Sequence, residues 1–112
     1  MKLDAGSIVL VPFPYTDLSA SKKRPVLLLT DTNARGDFIA MALTSRSQTD
    51  HAVAIPGGPL PLGGVLVTDS WVRTDKIITL RQTVVFKVMG RIDAQTRLKC
   101  VQQLCHALNS VA

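Results

Sequence analysis

In this 112-residue chain only one stretch repeats its apolar residues at helical spacing, and it lies at the C-terminal end. Leu98, Val101, Leu104, Cys105 and Leu108 recur at steps of three and four, which predicts one apolar face of a helix over about residues 93–109. Asp93 stands where an N-cap carboxylate belongs, and Asn109 is placed to end the helix. A single helix cannot support an alternating strand–helix–strand arrangement. The rest of the chain is therefore predicted to fold as short strands closing on one another.

The remaining sequence divides accordingly. After Gly6, the β-branched run Ile8-Val9-Leu10-Val11 is ended or bent by Pro12-Phe13-Pro14, since proline cannot serve a central ladder. A polar loop with turn formers Asp17 and Ser19 leads to a second strand over residues 25–30. A turn at residues 31–37 follows, with Asn33 and Gly36 the expected positive-φ positions. Residues 38–44 form a third strand, residues 45–51 a polar string, and Ala52-Val53-Ala54-Ile55 a short fourth strand. Three prolines and four glycines make residues 56–64 a loop. Val65-Leu66-Val67 opens the second half and residues 70–77 alternate like a strand. Residues 79–83 suggest a helical turn, and residues 84–89 a last strand closed by Gly90. The fold class predicted is mainly β: a single domain over residues 1–112, built as a small, strongly curved sheet or barrel with a C-terminal helix.

Composition excludes several classes of function. With 46% apolar and 19% charged residues the chain is globular rather than disordered. No apolar run approaches the roughly 20 residues of a membrane span, and Met1-Lys2-Leu3-Asp4 lacks the basic-then-apolar pattern expected of a signal peptide. The net charge of +5 favours a polyanionic partner. Cys100 and Cys105 fall on different sides of a helix, so they predict packing residues in a reducing cytoplasm rather than a disulfide. The two histidines and two cysteines match no zinc spacing, and no acidic pair has a magnesium pattern. The Gly-Gly pairs lack the lysine and helix of a phosphate cradle. An enzyme of this sequence is expected to work without metal or cofactor.

The chemistry is concentrated at Lys22-Lys23-Arg24-Pro25, which opens the continuously apolar run Val26-Leu27-Leu28-Leu29. Pro25 restricts Arg24 to extended backbone, and the run suits a strand covered on both faces. An arginine held this way grips phosphate, because its planar fork matches phosphate oxygens and keeps its charge. If the third strand pairs antiparallel with the second, Thr44 falls on the same rim as Arg24. A guanidinium beside a hydroxyl suits cleavage of RNA, in which the substrate's own 2′-hydroxyl attacks phosphorus and the protein positions it and neutralises charge. The competing reading of Thr44 is a strand-end hydroxyl bonded within its own turn.

Three segments carry a resemblance. Gly6-Ser7-Ile8-Val9-Leu10-Val11-Pro12-Phe13, then Arg24-Pro25-Val26-Leu27-Leu28-Leu29, then Leu43-Thr44-Ser45 resemble successive motifs of the MazF/PemK (Kid) toxins of bacterial toxin–antitoxin pairs. Residues 69–77 are similar to the fifth-strand motif of that family. The resemblance implies an SH3-like barrel with a C-terminal helix, and a homodimer binding single-stranded RNA in an interface groove. It implies metal-independent cleavage of mRNA at short sequences, leaving 2′,3′-cyclic phosphate and 5′-hydroxyl ends, and a cognate antitoxin of MazE/PemI type. The family's catalytic arginine matches Arg24 and its catalytic threonine matches Thr44, with Ser45 as a neighbouring helper. The first loop departs from the pattern: many members have a glutamate there, and here Asp17 is the only carboxylate.

Arginine is a poor general base, with a pKa above about 12, so Arg24 is assigned to stabilising charge and Asp17 and His51 are the alternative bases. Lys22, Lys23, Arg46 and Arg73 are candidate phosphate contacts, and Tyr15 a base-stacking aromatic, while Trp71 reads as core or dimer interface. Two other functions remain open: a toxin of the same fold that inhibits a protein target, as the CcdB group inhibits DNA gyrase, and an inactive relative that binds RNA or antitoxin.

Overall fold

The apolar runs assemble into one curled sheet with the helix packed on its inner side. The computed structural model describes residues 3–12 and 22–110. Its strands are β1 (Ser7–Pro12), β2 (Lys23–Leu28), β3 (Asp37–Thr44), β4 (Ala52–Ile55), β5 (Gly58–Pro59), β6 (Val65–Leu66), β7 (Ser70–Arg81) and β8 (Lys87–Arg91), followed by α1 (Ala94–Asn109). Six of the strands form an antiparallel sheet in the order β4-β7-β3-β2-β1-β8, while β5 pairs with β6 in a two-stranded ribbon. The result is mainly β, a six-stranded half-barrel with one C-terminal helix, as expected from the sequence.

β2 is covered on both faces because its neighbours supply alternating side chains to two cores. On the helix side Leu27 packs with Ile8, Met41, Leu43, Val72, Ile92 and Cys100. On the other side Val26 and Leu28 join Leu3, Val9, Val11, Phe38 and Ala40. Val26, Leu27 and Leu28 are all inaccessible to solvent. Each such side chain contributes about 1.5–3 kcal/mol by burial, so β2 is among the most firmly held strands.

The helix is attached by polar as well as apolar contacts. Asp93 caps it, its carboxylate accepting from the Thr96 N–H at 3.1 Å and the Thr96 hydroxyl at 2.7 Å. Gln103 accepts from the Thr74 hydroxyl at 3.1 Å and donates to the Ala52 carbonyl at 3.1 Å, tying α1 to β7 and β4. The buried side of the helix is centred on Cys100, with Val101 and Leu104 packed beside it. Leu98, Cys105 and Leu108 are exposed, so only part of the apolar spacing reports the packed face. A polar bridge from Gln103 occupies part of the contact surface.

Other expectations are corrected locally. Asn33 has an ordinary φ. Its side-chain oxygen instead accepts from the N–H groups of Arg35 and Asp37, both at 3.0 Å, and Gly36 alone of the pair takes the left-handed conformation. β7 runs on to Arg81, because β3 continues to pair with it as far as Asp37, and the short helical turn is displaced to Gln82–Val84. The last strand accordingly starts at Lys87, with Gly90 inside it. The Pro/Gly-rich loop holds β5 and ends at Gly64, where a side chain would strike Met89 and Gly90 of β8.

Candidate functional site

Arg24 is positioned by the strand that the sequence singled out. It pairs with Val11 of β1, and β2 runs against β3 with Val26 opposite Ala42. The antiparallel register puts the start of β2, with Arg24, and the end of β3, with Thr44, on one rim of the sheet. Arg24 is half-buried and lines a cleft of about 390 Å³ together with Lys22, Lys23, Pro25, Leu43, Ser45, Thr68 and Ser70, although Thr44 is not among the residues that line it. Among the described residues the cleft is lined by three cations, Arg24 included, and three hydroxyls, with Pro25 and Leu43 as its apolar part. That arrangement attracts an anion and offers it hydrogen-bond donors at short range.

The far wall is built from the segment between β6 and β7. Ser70 is buried, and its hydroxyl donates to the Thr68 carbonyl at 3.1 Å. Asp69 accepts from the Gly57 N–H at 2.8 Å, which ties this segment to the loop after β4. Thr68 and Ser70 were not singled out as site residues in the sequence, being more than forty positions from Arg24. Only the match of residues 69–77 to a family motif pointed to that segment.

Thr44 ends β3 in the turn geometry of a strand-end hydroxyl. Its Oγ1 accepts from the Arg46 N–H at 3.2 Å. The hydroxyl proton remains available to a ligand, because a threonine oxygen can accept and donate at once. Ser45, the next residue, is exposed and lines the cleft directly.

The remaining candidates divide. Lys22 and Lys23 lie in the cleft. Arg46 is exposed and outside its lining. Arg73 forms an ion pair with Asp75 at 3.4 Å and also lies outside the lining. His51 is placed elsewhere: with Asp50, Lys99, Gln102 and His106 it lines a separate groove of about 780 Å³ between the loop before β4 and α1. Its φ of 50° and the bond from the Thr74 N–H to its carbonyl, 3.0 Å, hold it there. Tyr15 and Asp17 lie outside the described residues. Among the described residues, no three His, Cys, Asp or Glu side chains gather to hold a metal ion, and no helix is long and apolar enough to cross a membrane.

The family model of PemK-like, MazF-like toxins of type II toxin–antitoxin systems matches residues 4–108. The chain belongs to that family. Solved structures agree. A mycobacterial endoribonuclease in complex with its cognate antitoxin is 25% identical over 98% of both chains, with a TM-score of 0.70. The fold is also that of MazF from Deinococcus radiodurans, 23% identical over 97% of this chain and 98% of that one, TM-score 0.73. A MazE–MazF complex from the same organism has a TM-score of 0.70 at 22% identity, over 96% of each chain. No curated protein matches the sequence itself. The family resemblance of the three early motifs is thereby upheld across nearly the whole chain.

Proposed function

We propose that this protein is a toxin endoribonuclease that cleaves single-stranded RNA, mRNA in particular, at short sequence motifs. The observation that carries this is the cleft that Arg24 lines, where among the described residues three cations, Arg24 included, and three hydroxyls converge. The 2′-hydroxyl of the substrate attacks the adjacent phosphorus, the 5′-oxygen leaves, and the products are a 2′,3′-cyclic phosphate and a 5′-hydroxyl. The nucleophile belongs to the substrate, so the reaction needs no metal to generate it. Arg24 stabilises the charge that builds on the phosphoryl oxygens, Ser45 and the Thr44 hydroxyl donate to them, and Lys22 and Lys23 hold flanking phosphates. Asp17 and His51 are the candidates for the proton transfers. His51 reaches the phosphate only if the polar segment before β4 moves, since it lies in another groove.

The protein acts in the cytoplasm as a homodimer, with Arg46, Arg73 and Tyr15 contacting RNA beyond the cleft. An antitoxin of MazE/PemI type inhibits it, a reading supported by the antitoxin bound to the mycobacterial neighbour. The test is incubation of antitoxin-free protein with a long synthetic RNA in EDTA, beside Arg24→Ala, with both product ends mapped. Cleavage at a recurring short sequence, with cyclic phosphate ends, is expected. The variant should lose on the order of 10²-fold or more, the usual cost of removing a donor aimed at developing charge. Intact RNA with folded protein would overturn the reading, and inhibition of a protein target such as DNA gyrase would then be measured.

A further inference from the structure

Phe86 is an exposed aromatic side chain at the edge of the cationic cleft. It is 63% accessible to solvent, although its backbone is held in place, its N–H donating to the Leu10 carbonyl at 2.8 Å. The Lys23 ammonium sits 4.1 Å from the centre of its ring. Lys23 is also one of the cations lining the Arg24 cleft, so the ring and the phosphate-attracting pocket share a residue. An exposed phenyl group on a pinned backbone next to a lysine of a cationic cleft is the combination that single-stranded nucleic acids use, bases on rings and phosphates on ammonium or guanidinium groups.

We infer that Phe86 is a base-stacking platform for an RNA nucleotide flanking the scissile phosphate, with Lys23 taking that nucleotide's phosphate. A nucleotide carries a flat base and a phosphate on one short tether, so a single residue of RNA can reach both groups. In the free protein the Lys23 ammonium covers the ring by a cation–π contact, which weakens in favour of phosphate when RNA arrives. Stacking is tolerant of base identity, because every base has a π face. Phe86 therefore supplies affinity and register, while selection among sequences lies with other contacts. The inference rests on the nuclease reading for its choice of RNA as ligand, and the experiment separates the two.

The probe is a mixed-sequence single-stranded RNA with 2′-fluoro riboses, which lacks the hydroxyl needed for cleavage. Its binding is measured with the full-length wild type, Phe86→Leu and Phe86→Trp, after circular dichroism shows all three folded. Phe86→Leu should weaken binding roughly five- to hundredfold, the range of one lost stacking contact. Phe86→Trp should keep wild-type affinity, and its added emission, taken as the difference from the wild type to remove Trp71, should be quenched as RNA binds. On cleavable RNA, Phe86→Leu should raise KM far more than it lowers kcat. Wild-type affinity in Phe86→Leu, or unchanged Trp emission at saturating RNA, overturns the inference even if the wild type cleaves RNA. A Phe86→Leu protein that changes its sedimentation while the Trp emission ignores RNA assigns the ring to a protein contact and also overturns it. Quenching without any cleavage by the wild type leaves stacking in place and removes the nuclease reading instead.

Discussion

β2 and β8 both pair with β1, one on each side, yet they stand in opposite relation to solvent. β2 has β3 beyond it and a core on each face, so Val26, Leu27 and Leu28 are sealed. β8 is the last strand of the sheet, and Val88 remains 44% exposed and Phe86, just before it, 63%. Similar runs of valine and other apolar residues thus serve two ends. In the middle of the sheet they make a rigid mount for Arg24, and at its edge they leave apolar surface available. Burial is a property of position in the sheet and cannot be assigned from the side chain alone.

The largest test of this contrast is a pair of truncations. Leu27→Ala should cost about 2–5 kcal/mol, since it opens a cavity in a sealed cluster. Val88→Ala should cost about 0.5 kcal/mol or less, as expected at an accessible position. Urea unfolding midpoints at constant m-value would measure both. Similar losses at the two sites would mean that the edge strand is as tightly covered as the central one.

A smaller effect should appear at the helix that closes the inner core. Asp93→Ala removes the N-cap and should cost about 1 kcal/mol at neutral pH. The Thr96 hydroxyl, and after it the Thr96 N–H, hold the Asp93 carboxyl below its usual pKa. Its contribution is therefore complete above the unfolded carboxylate value of about 3.9 and is lost as pH falls through the lower folded value. The difference between the wild type and the variant should narrow when the comparison at pH 7 is repeated at about pH 3. A difference unchanged in acid would show that the variant harms the fold by another route.

The least perturbing test uses the two thiols. Cys100 packs in the same cluster as Leu27, and burial pushes its pKa up to about 11. Cys105, five residues on, is exposed. A thiol reagent at pH 8 should modify one cysteine rapidly and the second only at the rate of unfolding, and Leu27→Ala should narrow that difference. Two equally fast thiols would show that the inner face opens readily.

How far the sequence could be read depended on range. Several local signals held, though not the positive φ expected of Asn33: Asp93 as N-cap, Gly36 as a positive-φ residue, and the extended Arg24 before Pro25 all depend on neighbours a few bonds away. Short strand-forming runs with a single helix predicted the mainly β fold, and antiparallel pairing of the second and third strands predicted the shared rim of Arg24 and Thr44. The apolar helix stripe was only half informative, because spacing shows which residues share a side and not which side meets the sheet.

What only the tertiary structure decided is the membership of each site. It brought Thr68 and Ser70 across the chain to Arg24 and set Lys23 over Phe86. It also drew His51 away from the cleft, toward His106 and Lys99 on α1. The sequence by itself determined the strand-forming runs, the single helix and the cation fixed at the start of β2, because these follow from side-chain shape and backbone freedom. Sheet order decided the rest. Each strand acquires its neighbours through long-range pairing, and no residue carries in its own chemistry the identity of the one that will face it.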